Sequence, residues 1–443
     1  MRYVRHKPGR ALHILHDVRA VAADGSSATT LSLLTLDERV AGPVSPRTLP
    51  SLLDHVGLLA AGKPSATPAG VTVHTLPDDL GLPALRAAWA PQPGAPLCRS
   101  LESMLTAASG DRAAIVAITA IPRHYKPASR CVIEYRLRLR HDDSGEEFTR
   151  VLYGKLFAKP AQACEMDAGL RRVAETWDRA GPLAAWTPRS LGVYEPLGMC
   201  FTQAADEGRG LSGMALLRPG GRARIGAAWR AASIPEAALE LSAAALARLH
   251  TASFDVSGLE LRSAAYESER AVERARLLAA YTPEMESEIM NAATTTARSL
   301  VTLDTKDARA CHGSYKRSQL VYGAGTLTVV DWDSLCIADP AIDLGCFLAH
   351  LRPSALWYAR PGARAWFSAA AAYWIQAYVD GMAQRGQRSD VVSGIVSRSA
   401  AYEAAMLLKM ATRRLRRLNS PRPGELRAIL SEVGRCLSTD AAA

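Results

Sequence analysis

The segment from Cys311 to Tyr322, CHGSYKRSQLVY, concentrates side chains that can do chemistry. It is followed by a glycine turn, GAG, and by the apolar run TLTVVDWD, so it predicts two short strands with polar residues at their edges. The chemical groups are an imidazole, a hydroxyl, an ammonium, an amide and two carboxylates, on His312, Ser314, Lys316, Gln319, Asp331 and Asp333. Such a motif in a helical lobe that follows a small β lobe suits the clamping of a nucleotide between lobes.

The stretches ACHGSYKRSQLVY and LTVVDWDSLCIADPAIDLGCFLAHL resemble the aminoglycoside phosphotransferase and choline kinase-like family. That family has a protein-kinase-like fold, a catalytic loop H-G-D-x-x-x-x-N, a strand ending in D-x-D or D-W-D, and then D-P-x-x-D-L-A. The resemblance covers roughly residues 110–420 and is strongest over 311–350, and ALARLH at 245–250 resembles the first helix of the large lobe. It implies an α+β, bilobal, kinase-like fold with a small antiparallel β lobe and a larger helical lobe.

The resemblance also implies roles for single residues of the large lobe. His312 and Gly313 match the first two loop positions, and Gln319 stands where the family has its metal-binding Asn. Asp331 matches the carboxylate that binds Mg²⁺ at the nucleotide phosphates, and Asp333 is a possible second ligand. Two further carboxylates, Asp339 and Asp343, match structural positions that hydrogen-bond the loop.

Ser314 stands where the family has its catalytic Asp. A carboxylate there would accept the proton of a substrate hydroxyl, which is typically worth about 10² to 10⁴ in rate, and serine cannot do this. Phosphoryl transfer nevertheless depends mostly on positioning and charge neutralisation. Ser314 with Lys316 resembles a distinct subgroup with HGS-type loops, which implies changed chemistry. In the alternative interpretation the loop caps strands, with His312 bonded to a carbonyl and Ser314 to Asp331 or Asp343.

The small lobe offers candidates for holding phosphates. Lys155 lies on the predicted third strand, where a kinase-like fold needs an ammonium group and a helix carboxylate to orient it. Glu165 is the first candidate for that carboxylate and Glu175 the second. The turn HYKPASRC has no repeated glycine, but backbone amides of residues 128–130 together with Lys126 or Arg130 are candidates for contacting phosphate.

We therefore expect an ATP-dependent phosphotransferase, using ATP or another NTP with Mg²⁺. The acceptor would be a hydroxyl of a small molecule or a peptide. The contrasting hypothesis is a catalytically inactive pseudokinase that binds a nucleotide or a partner protein. A third is nucleotidyl transfer with the nucleotide bound in an inverted pose.

The elements that must position these residues follow from the hydrophobic periodicity. Residues 129–141 alternate with period two, the segment 141–147 predicts a turn, and 148–158 predicts the returning strand. A helix between Pro160 and Gly181 and two more strands complete the small lobe, 111–207. The helical lobe is placed at 208–443, and from about Ser233 apolar residues recur at helical spacing, which predicts helices at 235–253, 268–281, 285–300, 366–382 and 401–418.

Residues 1–110 precede this kinase-like region and form an extension with predicted β structure. RYVRHKPGRALHILHDV at 2–18 is similar to PRHYKPASRCVIEYRL at 122–137, so the extension is a possible partial repeat of the first hairpin. APQPGAPLC at 90–98 is the best linker candidate. The extension is also a possible site for a protein partner.

Composition bounds the remaining choices. The net charge of +10 comes almost wholly from arginine, which fits a biased base composition as well as an anionic partner, so nucleic-acid binding is not expected. The longest low-charge run, 368–379, is too short for a membrane span and predicts a buried helix. A charged N-terminus and eight scattered cysteines indicate a cytoplasmic protein with reduced thiols and no membrane association. The arginines of ATRRLRRL at 411–418 predict a solvated face or a contact to an anionic substrate.

Overall fold

The computed structural model describes residues 3–7, 9–21, 27–42, 69–179, 185–204, 209–211, 236–303, 307–352, 363–415 and 423–438. The strands of these residues are β1 (Tyr3–Lys7), β2 (Ala11–Val21), β3 (Ser27–Asp37), β4 (Val71–Thr75), β5 (Ala113–Lys126), β6 (Arg130–His141), β7 (Glu147–Phe157), β8 (Ala185–Trp186), β9 (Ser190–Tyr194), β10 (Met199–Gln203), β11 (Arg209–Gly210), β12 (Leu261–Arg262), β13 (Arg309–Cys311), β14 (Leu320–Gly323), β15 (Thr326–Val329) and β16 (Cys336–Ala338).

The α-helices are α1 (Glu38–Ala41), α2 (Leu85–Trp89), α3 (Pro96–Ser109), α4 (Ala161–Arg179), α5 (Glu236–Thr251), α6 (Ala264–Tyr281), α7 (Glu286–Val301), α8 (Ala341–Leu351), α9 (Ala363–Ala383), α10 (Ser389–Leu415) and α11 (Pro423–Ser438). The described residues divide into two compact units. The first contains the described parts of 1–167, 190–203 and 414–420, and the second those of 168–189, 204–413 and 421–438.

The first unit is built from two antiparallel sheets. β1, β2, β3 and β4 form one in that order, and the other has the order β5-β6-β7-β10-β9. The alternation along β6 is confirmed, because Cys131, Ile133, Tyr135, Leu137 and Leu139 are all buried. The hairpin of β6 and β7 and the antiparallel small sheet are thus as the sequence predicted.

Both sheets of this unit contribute to one hydrophobic core. Leu15 and Leu33 of the N-terminal sheet pack in the same buried cluster as Ile133 of the larger sheet. Leu85 of α2 and Leu101 of α3 join them. The extension is therefore part of this unit's core. Truncating Leu15 or Leu33 would leave a cavity in that core. A protein partner for the extension stays a prediction.

The second unit is mainly helical and contains two small sheets. α5, α6, α7 and α9 lie where the periodicity predicted helices, whereas α10 begins twelve residues before the predicted start at Ala401. Val392 and Ile395 are buried and continue the apolar face of α10 towards its beginning. The sheets have the orders β11-β14-β15-β8 and β12-β16-β13. Several of their strands have two or three residues, too few to show a period.

Two apolar helices bear on membrane association. Within the described residues, Ser389–Thr412 of α10 is long and apolar enough to cross a membrane, but 61% of its apolar window is buried inside the protein, as in a core helix. The predicted buried helix at 368–379 lies within α9 and is only half-buried, because Trp374 and Tyr378 face the interior whereas Tyr373 is exposed. Seven of the eight cysteines are buried and Cys164 is exposed. The arginine-rich segment 411–418 lies largely outside the residues whose side chains are described.

Candidate active site

The loop between β13 and β14 depends on a glycine. Gly313 has φ of 70°, and a Cβ there would lie 2.1 Å from the carbonyl oxygen of Ser334. Arg262 donates from Nη1 to the Gly313 carbonyl at 2.8 Å and so fixes the loop from the other side. A side chain at Gly313 is excluded by both backbone conformation and space.

His312 is completely buried at the start of this loop. Its backbone N–H donates to Asp343 Oδ2 at 2.7 Å, and its Nε2 lies 3.2 Å from the Val330 carbonyl oxygen. Burial lowers the pKa of His312, and the charge of Lys316 adds to this effect. The imidazole is therefore neutral at pH 7, with Nε2–H donating to the carbonyl. This is the carbonyl contact of the strand-capping alternative.

The side chains of Ser314, Lys316, Gln319 and Asp331 form one connected cluster. Lys316 donates from Nζ to Ser314 Oγ at 2.9 Å. Gln319 donates from Nε2 to Asp331 Oδ2 at 2.9 Å, and the same nitrogen lies 3.4 Å from Ser314 Oγ. Ser314 thus contacts Lys316 and Gln319, not Asp331 or Asp343 as the capping alternative had it. We call these four residues the Ser314 cluster.

Asp331 is held in an uncommon backbone conformation after β15. Its φ is 67°, and strained residues of this kind concentrate at functional sites. Asp331 is partly buried and Asp333 is exposed. Gln319 is 3% exposed, and its Oε1 accepts no hydrogen bond from the described part of the chain. The amide oxygen of Gln319 and the carboxylate oxygens of Asp331 are of the hard type that Mg²⁺ prefers, and the two side chains are in contact through Gln319 Nε2.

The carboxylate of Asp343 organises the loop from behind. It is fully buried at the beginning of α8 and accepts from the His312 backbone, with His250 Nε2 at 3.4 Å. Burial would raise the pKa of Asp343, but the hydrogen bonds that it accepts from His250 and from the His312 backbone, together with the favourable electrostatic surroundings of these two residues, outweigh it and keep the pKa low. Asp339 accepts instead from Arg398, at 2.6 and 3.0 Å.

His250 is a contributor whose individual role the sequence pattern did not reveal. Its Nδ1 lies 2.8 Å from the Tyr378 hydroxyl, so it links α9 to Asp343. The only signal in the sequence was its place at the end of ALARLH. Arg262 binds the Gly313 carbonyl, and Asp79 binds the turn between β5 and β6, each from a segment distant in sequence. No sequence pattern pointed to either residue.

The predicted phosphate-holding lysine and its candidate carboxylate partners lie on β7 and α4. Lys155 on β7 is 7% exposed, with Nζ 5.6 Å from the centre of the Phe157 ring. Glu165 and Glu175 lie on the exposed face of α4, and their role as partners of Lys155 stays a prediction. The buried position of Lys155 on β7 is compatible with binding phosphate, and that role stays a prediction.

The turn between β5 and β6 uses its own backbone donors. Ala128 N–H donates to Asp79 Oδ2 at 2.8 Å, and Ser129 N–H donates to the Lys126 carbonyl at 3.1 Å. Pro127 has no N–H. The backbone amides at 128 and 129 are thus already engaged, so phosphate contacts in this turn would fall to the Lys126 and Arg130 side chains.

Comparison with known proteins assigns the chain to a family. Residues 148–385 match the sequence profile of the Phosphotransferase enzyme family (APH), which is more than half of the chain. The chain belongs to the phosphotransferase enzyme family. The matched residues contain Lys155, the Ser314 cluster and Asp343, and membership confirms the kinase-like α+β class that the sequence resemblance implied.

Several solved structures resemble this phosphotransferase family member at low identity. A choline/ethanolamine kinase family protein from Mesorhizobium loti has 14% identity and a TM-score of 0.39, covering 68% of this chain and 84% of its own. Aminoglycoside phosphotransferase APH(3'')-Id from Streptomyces rimosus has 20% identity and a TM-score of 0.39, covering 70% of this chain and 97% of its own. Choline kinase from Cryptosporidium parvum has 9% identity and a TM-score of 0.45, covering 73% of this chain and 89% of its own. No curated protein sequence matches the chain.

Proposed function

We propose that this family member transfers the terminal phosphoryl group of ATP or another NTP to a small-molecule acceptor, with Mg²⁺ held by Asp331 and Gln319. The observation that carries the proposal is the Ser314 cluster. In it, the buried amide oxygen of Gln319 receives no hydrogen bond from the residues that the structure describes, and the same side chain contacts Asp331, a carboxylate residue at positive φ. Family membership supports phosphotransfer to small molecules. The nucleotide and the metal rest on the cluster.

The amide of Gln319 can present either its nitrogen or its oxygen to Asp331. Its Nε2–H donates to Asp331 Oδ2 at 2.9 Å. The assignment of O and N in an amide follows from the hydrogen bonds around it, and turning the amide would present Oε1 beside Asp331. Gln319 Oε1 and the Asp331 carboxylate would then be the metal ligands, with Asp333 as the candidate for a further one. The metal would neutralise charge on the phosphates.

The remaining residues have positioning roles in this proposal. Asp343 and His250 hold the loop backbone, while neutral His312 holds the Val330 carbonyl just before Asp331. In the first unit, Lys155 with Glu165, and Lys126 and Arg130, remain the proposed phosphate-holding residues. Cytoplasmic location belongs to the proposal as well.

The test is nucleotide binding with and without metal. We expect ATP with Mg²⁺ to raise the melting temperature of the wild-type chain, and Asp331→Asn to abolish the Mg²⁺-dependent part of that rise. Asparagine tolerates the positive φ of Asp331, so the fold is preserved. The matched control is Asp390→Asn, an exposed carboxylate at the start of α10.

Turnover separates the proposal from its alternative. Phosphoryl transfer from ATP that disappears in Asp331→Asn supports the enzyme. Metal-dependent binding without transfer to any acceptor supports a pseudokinase, for which the hydroxyl at Ser314 is the motivating observation. A chain that ATP and Mg²⁺ do not stabilise would contradict both nucleotide-binding functions.

A further inference from the structure

The catalytic-type loop carries cations and no acid. Between Cys311 and Tyr322 there is no Asp or Glu, and the charged residues are Lys316 and Arg317. Arg317 is buried and donates to the His350 carbonyl at 3.1 Å, with its guanidinium 5.8 Å from the centre of the Phe367 ring. Arg317 is thus part of the packing, and Lys316 is the loop cation that faces Ser314.

None of the loop side chains is suited to take a proton from a neutral alcohol. Ser314 Oγ accepts a hydrogen bond from the Lys316 ammonium group, which makes its oxygen a still weaker base. His312 is fully buried and its Nε2–H donates to the Val330 carbonyl, and its basic Nδ1 is itself enclosed in the interior, where an acceptor alcohol does not reach it. Asp331 accepts from Gln319 and is the proposed metal ligand. An alcohol acceptor would therefore meet a cation here and no base within the loop.

We propose, on the basis of the proposed function, that the acceptor is an oxyanion, a carboxylate or a phosphate monoester, rather than the alcohol suggested by the sequence. Carboxylates have pKa values of about 4 and phosphate monoesters a second pKa of about 6, so both are ionised at pH 7 and need no base. Lys316 supplies the charge that binds such an acceptor beside Ser314.

The proposed step balances without a proton. The acceptor oxyanion attacks the terminal phosphorus, one new O–P bond forms, and the bond from that phosphorus to the bridging oxygen breaks. The electron pair of that bond leaves with the nucleoside diphosphate. The product is an acyl phosphate from a carboxylate, or a phosphoanhydride from a phosphate monoester.

The first test is acceptor binding without nucleotide or metal. We expect citrate and inorganic phosphate to stabilise the wild-type chain against heat, and Lys316→Gln to weaken their binding at least fivefold. The matched control is Lys159→Gln, which removes an exposed lysine outside the loop. Equal anion affinity in Lys316→Gln and wild type would overturn the proposal. Because ATP is absent, this result is independent of nucleotide binding.

The second test identifies the product. Carboxylates, phosphate monoesters and neutral polyols are each offered with ATP and Mg²⁺. Hydroxylamine traps an acyl phosphate, whereas phosphorus NMR shows a phosphoanhydride, so the two sources are distinguished. We expect Lys316→Gln to raise KM for the oxyanion at least tenfold and to leave KM for ATP within twofold. Phosphorylation of polyols alone, above all if lost in Asp333→Asn, would mean that Asp333 acts as a base on an alcohol and would overturn the proposal.

Failure of the two proposals can be told apart. If ATP and Mg²⁺ bind but anions do not depend on Lys316, only the acceptor assignment is wrong. If anions bind through Lys316 but no nucleotide binds, the phosphotransferase function is wrong, and the oxyanion site stands as a binding site without the transfer step.

Discussion

The β1–β2 and β5–β6 hairpins of the first unit make the same turn in different surroundings. In each, the strand ends in Lys-Pro, and the lysine pairs with the residue four positions later, Lys7 with Ala11 and Lys126 with Arg130. The residue after the proline is left-handed in both, Gly9 with φ of 68° and Ala128 with φ of 50°. The sequence similarity of the two segments thus has a geometric counterpart, while their origin by duplication stays a prediction.

Each turn also places its central amide on a buried carboxylate from a segment distant in sequence. Gly9 N–H donates to Glu38, which His6 also contacts at 2.6 Å. Ala128 N–H donates to Asp79, which accepts from the Tyr125 hydroxyl at 2.6 Å. The turn by itself is therefore no evidence of a phosphate site, because the N-terminal copy has the same anion-binding geometry filled by a side chain.

The carboxylate of Asp79 holds the β5–β6 turn through several donors. Asp79 accepts from three groups, since Gly81 N–H adds to Ala128 N–H and Tyr125. Asp79→Ala leaves these donors without their acceptor, so we expect the free energy of unfolding of the first unit to fall by about 4 kcal/mol. Urea denaturation followed by fluorescence measures this. Asp78→Ala, which removes an exposed partner of Arg86, should leave the free energy of unfolding close to the wild-type value. Equal losses in both variants would contradict the bracing role.

Titration distinguishes the N-terminal sheet from the larger one. His13 on β2 is 4% exposed, and burial lowers its pKa to about 4, helped by Lys7. Because the folded pKa lies below the unfolded value of about 6.5, stability is fully present above pH 6.5 and is lost as the pH falls towards 4. We expect a loss of about 3 kcal/mol over this range, absent in His13→Asn. His124→Asn, at an exposed position on β5, is the control and should keep the wild-type pH dependence.

Substitution of the glycine that packs against Ala128 should give the smallest loss of stability. A Cβ on Gly81 would lie 2.3 Å from the Ala128 Cβ and 2.6 Å from its Cα, so Gly81→Ala must push the segment away from the turn. We expect the free energy of unfolding, measured by thermal denaturation, to fall by about 2 kcal/mol. Gly9→Ala is the counterpart in the first hairpin, where a Cβ meets nothing within 4 Å and only the positive φ opposes it. That variant should lose about 1 kcal/mol. The comparison fails if Gly9→Ala is the more damaging change.

Much of the local structure could be predicted because it leaves a period in the chain. β6 shows alternation over five buried residues, and α4 shows Leu170, Val173 and Trp177 at helical spacing, all three buried. The two strands around GAG were expected and are β14 and β15. The predicted start of α10 was too late because three serines, a glycine and Arg398 between Ser393 and Ala400 obscured its apolar face.

The sequence by itself determined the family, the α+β class and the set of polar residues at 311–343, since these rest on a contiguous motif and on local periodicity. Only the tertiary structure decided their partners. Asp79 meets Ala128 across 49 positions, His250 meets Asp343 across 93, and Lys316 faces Ser314 while its neighbour Arg317 packs against Phe367. Polar contacts have no period along a chain, and each is chosen by desolvation and geometry once distant segments have packed together.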